Sequence, residues 1–357
     1  MNFEIQIAHR VAEIGQAEWD RLSAGRPFTS YQWYSFGEAV LADCLPIYIV
    51  LSNQGEAIAR ATFWLKRREP LPISSRPLRL FMEAVLRRWP LLMCQVPLTS
   101  LSGLTLPEPP VRASALKRIV QVAQEEARKH QASFLIFSYL EQVETEWEGW
   151  PQNYASMTTG GDPGTSMTIA WPDFESYLKH LSRKTQKNYR RNCRFAQDLG
   201  LEVKNHSTVP AVEEALRLIR NVEQRHNGPP NPWMRGMLEH AHRINAQWMT
   251  AEIKGQMAGC ELVLGDGDTF FVTALGLDYQ VPHTYFMLGY ADIRWAIEAG
   301  AKCLRWGSGA YEAKQRLGFQ LESNNAMLYL SQNPWLQRLG RWASDLERPS
   351  KREGAPS

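Results

Sequence analysis

The residues with the clearest chemical bias lie between Lys179 and Arg194. Seven lysines and arginines fall within these sixteen residues (KHLSRKTQKNYRRNCR), with no acid among them. At about 100° per residue, Arg183, Lys187, Arg190 and Arg194 lie within about 60° of one another around a helix, with Lys184 and Arg191 at their flank. Tyr189, Phe195, Ala196 and Leu199 fall on the other side, so the segment is predicted to be amphipathic with one basic face. Like charges at i, i+4 disfavour an isolated helix, and an anion bound across the face would relieve them. A solvated surface is the plain alternative.

A second group lies further on. Gly307-Ser308-Gly309 follows a short apolar run and precedes Tyr311, Glu312 and Lys314. Glycines there permit a tight turn or close approach of backbone to a ligand. Tyr311 and Lys314 are one helical turn apart. A phenol there can give a proton to a leaving group, and an ammonium can pair with phosphate. Upstream, Val281-Pro282-His283-Thr284 opens a helix at Tyr285, and the first N–H groups of a helix suit an anion or a developing oxyanion. His226, Glu252, Glu261, His283 and Glu312 are the acid–base candidates. Glu252 and Glu261 sit inside strands, where burial beside a cleft would raise their pKa values; an exposed strand position is the alternative for each.

Elements predicted from hydrophobic period and turn residues place these groups. Residues 1–24 read as a strand and a helix, and Tyr31–Val40 as an aromatic helix. Ile47–Leu51 and Ala57–Leu65 read as two strands, followed by an irregular Pro-rich passage. Val111–Lys129 is a helix and Phe134–Tyr139 a buried strand. Residues 151–167, rich in Gly, Thr and Pro, mark the domain boundary. Pro172–Leu181 and Arg183–Leu199 follow as helices, with Ser182 as an N-cap. Val209–Arg225 and Trp233–Ile244 are further helices. Gln247–Ile253, Met257–Leu264 and Phe270–Gly276 are strands in a meander. Then come the helix Tyr285–Ala299, the strand Cys303–Trp306, the helix Tyr311–Leu317 and the strand Asn325–Leu330. The two halves repeat one order of elements, which implies a duplication.

Length and composition bound the function. A chain of 357 residues exceeds the usual single core. With 44% hydrophobic and 22% charged residues it reads as globular. A net charge of +3 makes the basic helix a local feature. The five scattered cysteines lack metal-ligand spacing and read as free thiols. MNFEIQIAHR has no signal-peptide character, and Trp89–Leu106 is interrupted by Pro90, Gln95 and Pro97, so a cytoplasmic protein is expected. The chain has no nucleophile elbow with a Ser-His-Asp order, no HExxH and no Walker loop.

Two segments resemble the CelD-like and FemAB-like branches of the GNAT acyltransferases. They are FESYLKHLSRKTQKNYRRNCRFAQDLGLEV (Phe174–Val203) and YFMLGYADIRWAIEAGAKCLRWGSGAYEAKQRLGF (Tyr285–Phe319). WDRLSAGRPFTSYQWYSFGEAV (Trp19–Val40) is similar to the opening of these double-GNAT proteins. The resemblance implies an α/β (mixed α+β) chain of two tandem GNAT-like domains, each a mostly antiparallel mixed sheet flanked by helices. On that basis residues 1–155 are a degenerate first domain, 165–332 the acyltransferase domain and 333–357 an amphipathic helix and flexible tail.

The implied activity is transfer of an acyl group to an amine or hydroxyl of a cell-envelope, polysaccharide or small-molecule acceptor. Acyl-CoA, most simply acetyl-CoA, is the implied donor, without a metal; the Fem-type alternative uses aminoacyl-tRNA. Tyr311, Glu252 and His283 are then the catalytic candidates. Thr284, Tyr285, Gly307, Gly309, Lys314, Lys187, Arg190 and Arg194 would hold the donor. Two positions depart from the family: Arg305 replaces a usual acid, and Val281–Thr284 replaces the GNAT pyrophosphate signature. A non-catalytic module whose basic helix meets an anionic partner is the rival reading. Its support is the tail, where Trp335, Leu336, Leu339 and Trp342 share one face as in an interfacial helix at the membrane periphery; packing of that face against the domain is the simpler alternative.

Overall fold

The computed structural model describes residues 3–23, 25–70, 76–152, 155–157, 163–226, 228–331 and 333–338. It divides into two compact units. One comprises residues 1–69, 75–163 and 323–357, the other 70–74 and 164–322.

The first unit starts with β1 (Glu4–Ala8), α1 (Gln16–Ser23) and α2 (Tyr31–Val40). Ser30 caps α2 by accepting from the Trp33 amide, as a serine before an apolar helical run should. The strands β2 (Leu45–Asn53) and β3 (Glu56–Lys66) form a hairpin around Gln54 and Gly55, both at positive φ. The helix α3 (Arg76–Arg88) comes next, then β4 (Leu91–Cys94), β5 (Leu104–Thr105), α4 (Val111–Lys129), β6 (Phe134–Leu140) and β7 (Ala155–Met157). The sequence leads one to expect an irregular passage where α3 lies. Its apolar residues are at helical spacing, but Pro77 and the preceding prolines obscure them. Buried Ile119, Val122 and Ala123 of α4 pack on Ile47, Ile49 and Phe63 of the sheet.

The second unit contains β8 (Thr165–Thr168), α5 (Phe174–His180), α6 (Arg183–Leu199), β9 (Leu201–His206), α7 (Val212–Arg225) and α8 (Met234–His240). The antiparallel meander β10 (Asn245–Ile253), β11 (Gln256–Asp266) and β12 (Thr269–Leu277) follows. After it come α9 (Thr284–Glu298), β13 (Cys303–Trp306), α10 (Tyr311–Arg316) and β14 (Gln320–Leu321). The described strands of this sheet run β14-β8-β13-β12-β11-β10-β9, with only the β12–β13 pair parallel among its central strands. The edge strand β9 is not evident from the sequence, because LEVKNH buries only Leu201.

The last described strand, β15 (Ala326–Leu330), lies in the first unit's sheet. It is bonded to β6 on one side and β7 on the other, in the order β1-β2-β3-β4-β6-β15-β7. This differs from the expected 165–332 domain. Strand pairing is long-range, and an AMLYL segment satisfies either sheet's demand for an apolar strand equally well. Residues 339–357, with Leu339 and Trp342 of the expected tail helix, lie outside the described residues. Among those described, Trp335 is exposed.

All described cysteines are free thiols. No helix of the described residues is long and apolar enough to cross a membrane. Among these residues no group of three or more His, Cys, Asp or Glu side chains is placed to hold a metal.

Candidate active site

In the second unit β12 and β13 run parallel from Thr269 beside Cys303 to Val272 beside Trp306. There β13 ends, while β12 continues to Leu277. Just past the parting, β12 carries an extra residue. Cys260 pairs with Gly276 and Leu262 with Thr273, and Ala274 takes φ +53°. This is a bulge, which bends a strand and interrupts its ladder. Glu261, between those two pairs on β11, stands opposite it.

Alternation along β11 puts Cys260 toward α7, where its thiol approaches the Ala215 carbonyl. Glu261 and Val263 therefore face α9. Asp292 on α9 comes from the other direction. Both carboxyl side chains are completely buried. None of their four oxygens accepts a well-formed hydrogen bond from backbone or another side chain. Burial pushes both carboxyls up. For Glu261 the neighbouring Asp292 adds to the rise, while Lys314 and Trp306 oppose it. Two facing carboxylates in a dry interior cannot both ionise. The pair therefore holds one proton between its two carboxyls.

Lys314 supplies the balancing charge. Its side chain is buried, and Nζ donates to the carbonyls of Gly307 at 2.5 Å and Ser308 at 3.3 Å. Burial pulls its pKa down to about 8, opposed by Glu261. The Trp306 ring lies between two candidates. Lys314 Nζ is 5.2 Å from its centroid, and the Tyr285 ring stacks on it at 5.4 Å. Gly289 lets the indole approach α9; a Cβ there would meet it at 2.9 Å. The Tyr285 hydroxyl is buried without a partner, and burial together with Glu261 and Asp292 raises its pKa. Gly309 has φ +83°, a conformation that favours glycine, and open space surrounds Gly307.

The fold thus brings Tyr285, Gly307, Gly309 and Lys314 into one neighbourhood. Tyr311 opens α10 half-buried, after Ala310 at φ +48°. His283 caps α9 at φ +69°, and its ring stacks on Phe195 of α6 at 4.8 Å. The Thr284 hydroxyl is committed to the Val281 carbonyl.

Glu252 does not join them. It bonds Lys204 at 2.7 Å and Thr250 at 2.8 Å, and Lys204 holds its pKa below the usual value, not above it. Its strand is three positions from β13, roughly 14 Å at the usual strand spacing. Glu312 pairs with Arg316 on the surface, and His226 ends α7 exposed. Asp292 was not singled out in the sequence. Its signal is an acid at i+3 and i+4 from Gly289 and Leu288 and next to Ile293, on the apolar face of α9.

Arg305, at the position where the resembled family usually has an acid, makes a buried two-point ion pair with Glu322, through Nε at 2.6 Å and Nη2 at 2.5 Å. It ties β13 to the segment after β14 and points away from the Glu261–Asp292 side, since neighbouring residues of a strand alternate.

On α6, Arg183, Lys184, Lys187, Arg190, Arg191 and Arg194 are exposed, and among the described residues no carboxylate pairs with any of them. The helix buries Asn192 and Ala196. Phe195 and Leu199, expected on the packed side, are exposed, because the packed face is narrow and Tyr189 and Asn192 contact α9 through Tyr290. A cleft of about 470 Å³ between α5, α6 and α9 is lined by Phe174, Lys179, Tyr189, Arg190 and Arg294 among others.

The profile of the FemAB-like family, described as peptidoglycan biosynthesis/recognition, matches residues 10–354. The chain belongs to the FemAB-like family. Among solved structures it is similar to FemX at TM-score 0.61 and 12% identity, over 94% of this chain and 99% of that one. A tandem GNAT protein from the clavulanic acid biosynthesis pathway aligns at TM-score 0.57 and 11% identity, over 93% and 99%. The C-terminal domain of a putative lysylphosphatidylglycerol synthetase from Agrobacterium fabrum aligns at TM-score 0.52 and 11% identity, over 94% and 96%. The sequence matches no curated protein. At these identities the likeness establishes a fold of two GNAT-like domains.

Proposed function

We propose that this FemAB-like chain transfers an acyl group from acyl-CoA to an amine or hydroxyl of a cell-wall precursor. The observation that carries the reading is the buried Lys314–Glu261–Asp292 cluster, set beside the parting of β12 and β13 and tied to the Gly307–Gly309 turn. Buried ionisable groups without full hydrogen bonding are costly, and their concentration at a strand split fits chemistry better than packing.

In the proposed reaction the acceptor's lone pair attacks the donor's carbonyl carbon. A C–N or C–O bond forms and the C–S bond breaks. The acceptor's proton passes to neutral Lys314, and the departing thiolate takes a proton from Tyr311; Lys314 then releases its proton to solvent, and Tyr311 regains one from it. Donor phosphates would lie over the start of α9. There the Phe195–His283 stack joins α6 to that terminus, and Arg194 is the exposed neighbour of Phe195.

A second reading, aminoacyl-tRNA as donor, is favoured by the six unpaired cations of α6, more than a CoA pyrophosphate needs. The carbonyl chemistry is the same, with an ester C–O bond broken in place of C–S. The test is release of free thiol from acetyl-CoA in the presence of amine-bearing wall precursors, beside transfer of a labelled amino acid from aminoacyl-tRNA. Acceptor-dependent thiol release that Lys314→Ala abolishes is expected. Transfer from aminoacyl-tRNA with no thiol release would replace the donor, and neither reaction would overturn the reading.

A further inference from the structure

The helix α3 is not needed to build the sheet that holds it. β3 and β4 are antiparallel neighbours, and Lys66 stands opposite Leu91. A turn of about 2–5 residues would join them. The chain instead uses residues 67–90, which is 24 residues, and half of them form α3.

The helix keeps few side chains for the protein. Leu86 is buried, whereas Leu80 is 55% exposed and Phe81 62%, and Trp89, just past the end, is 48% exposed. Three of the ten exposed large hydrophobic residues among those described thus fall within ten consecutive positions. Pro77, Leu80, Phe81 and Ala84 lie on one outward stripe at i, i+3, i+4 and i+7, and all four are exposed. Leaving such side chains in water is unfavourable unless something covers them.

The charges around the stripe select the cover. Arg67, Arg68, Arg87 and Arg88 are all exposed. Arg67 donates to the Arg87 carbonyl at the end of α3, and Arg88 lies 5.6 Å from the Trp89 ring centroid. The one acid on the helix, Glu83, faces Arg79 at 4.0 Å. An apolar stripe with arginines and a tryptophan at its border matches an interface whose interior is hydrocarbon and whose surface is anionic. A second copy fits less well. A two-fold contact would place this arginine-bordered patch against itself.

We propose that α3 is a membrane-docking helix that lays Leu80, Phe81 and Trp89 into the surface of an anionic phospholipid bilayer, with Arg67, Arg68, Arg87 and Arg88 on its headgroups. This rests on the first unit alone and is independent of the transfer chemistry assigned to the second. It is tested by co-sedimentation of the full chain with vesicles of phosphatidylglycerol and phosphatidylcholine, and with vesicles of phosphatidylcholine alone. The wild-type chain binds the anionic vesicles and releases them as salt rises. Leu80→Ser with Phe81→Ser keeps the circular dichroism and thermal midpoint and weakens binding at least about tenfold. Arg87→Gln with Arg88→Gln loses the preference for phosphatidylglycerol. Should the serine variant fail to fold, quenching by lipids brominated in their chains provides a second measure, present in the wild type and reduced in Trp89→Phe. A wild-type chain that stays in the supernatant with anionic vesicles overturns the proposal. So does a folded serine variant that binds as the wild type does, or a wild-type dimer that the serine substitutions make monomeric.

Discussion

Asp292→Asn separates a functional carboxyl pair from a packing accident. In the folded chain Glu261 and Asp292 face each other without outside donors, and burial raises both pKa values. An ion in such a setting carries an effective penalty of several kcal/mol, and neutral replacement of buried ionic groups is often stabilising by about 1–4 kcal/mol. Asparagine keeps the shape, removes one titrating group and offers N–H donors to Glu261. Above the raised Asp292 pKa of about 7 we expect a gain of about 1–3 kcal/mol, which is at least about 2 °C in thermal midpoint for a unit of this size.

The sign with pH follows from the direction of the shift. A carboxyl whose folded pKa is raised costs nothing below the ordinary carboxylate value, where folded and unfolded chains are both protonated. The cost grows as pH rises from there to the raised value. The advantage of Asp292→Asn must therefore shrink toward zero near about pH 4. Turnover at fixed pH should fall, since a Glu261 relieved of its facing carboxylate ionises more readily and holds Lys314 protonated. The assays are thermal melts from acid to mildly alkaline pH and initial rates under the same conditions. A lower midpoint at alkaline pH, a gain independent of pH, or an undiminished rate would each refute the reasoning.

Lys314 gives the opposite pH signature. Its pKa is lowered to about 8, so the folded chain binds fewer protons than the unfolded one between that value and the ordinary 10.5, and stability should rise across this window and level off in Lys314→Met. Turnover should rise through an inflection near 8 that Lys314→Met removes; a flat rate profile in the wild type would exclude the lysine as base. Tyr311→Phe should lower turnover at least about tenfold with an unchanged thermal midpoint, and a wild-type rate would remove the phenol from the mechanism. Arg190→Glu with Arg194→Glu should leave the midpoint unchanged and weaken donor affinity in calorimetry at low salt, because both side chains are exposed and unpaired; unaltered affinity would reassign α6 to another partner.

Local rules account for much of this molecule. Ser182 before a helical run, Gly200 after it and the Gly-containing turns of the meander are decided within a few residues of chain, so α6 and β10–β12 are readable from sequence. The Gly307–Gly309 turn and the start of α9 are readable for the same reason. α3 was hidden by its prolines, and β9 by its polar edge position.

Long-range pairing and burial were decided by the tertiary structure alone. Glu252 and Glu261 look alike in sequence, each an acid inside a strand. One meets Lys204 at the surface and is held ionised, and the other meets Asp292 across a closed interior and is held protonated. Likewise nothing within AMLYL says which sheet β15 completes. Apart from α3 and β9, the helices and strands and the basic face of α6 are legible in the residues alone, because those follow from neighbours three or four residues away. Only the tertiary structure decided which acids share a proton and which lysine balances them, because pKa depends on what the whole fold places within a few ångströms and on how much water it removes.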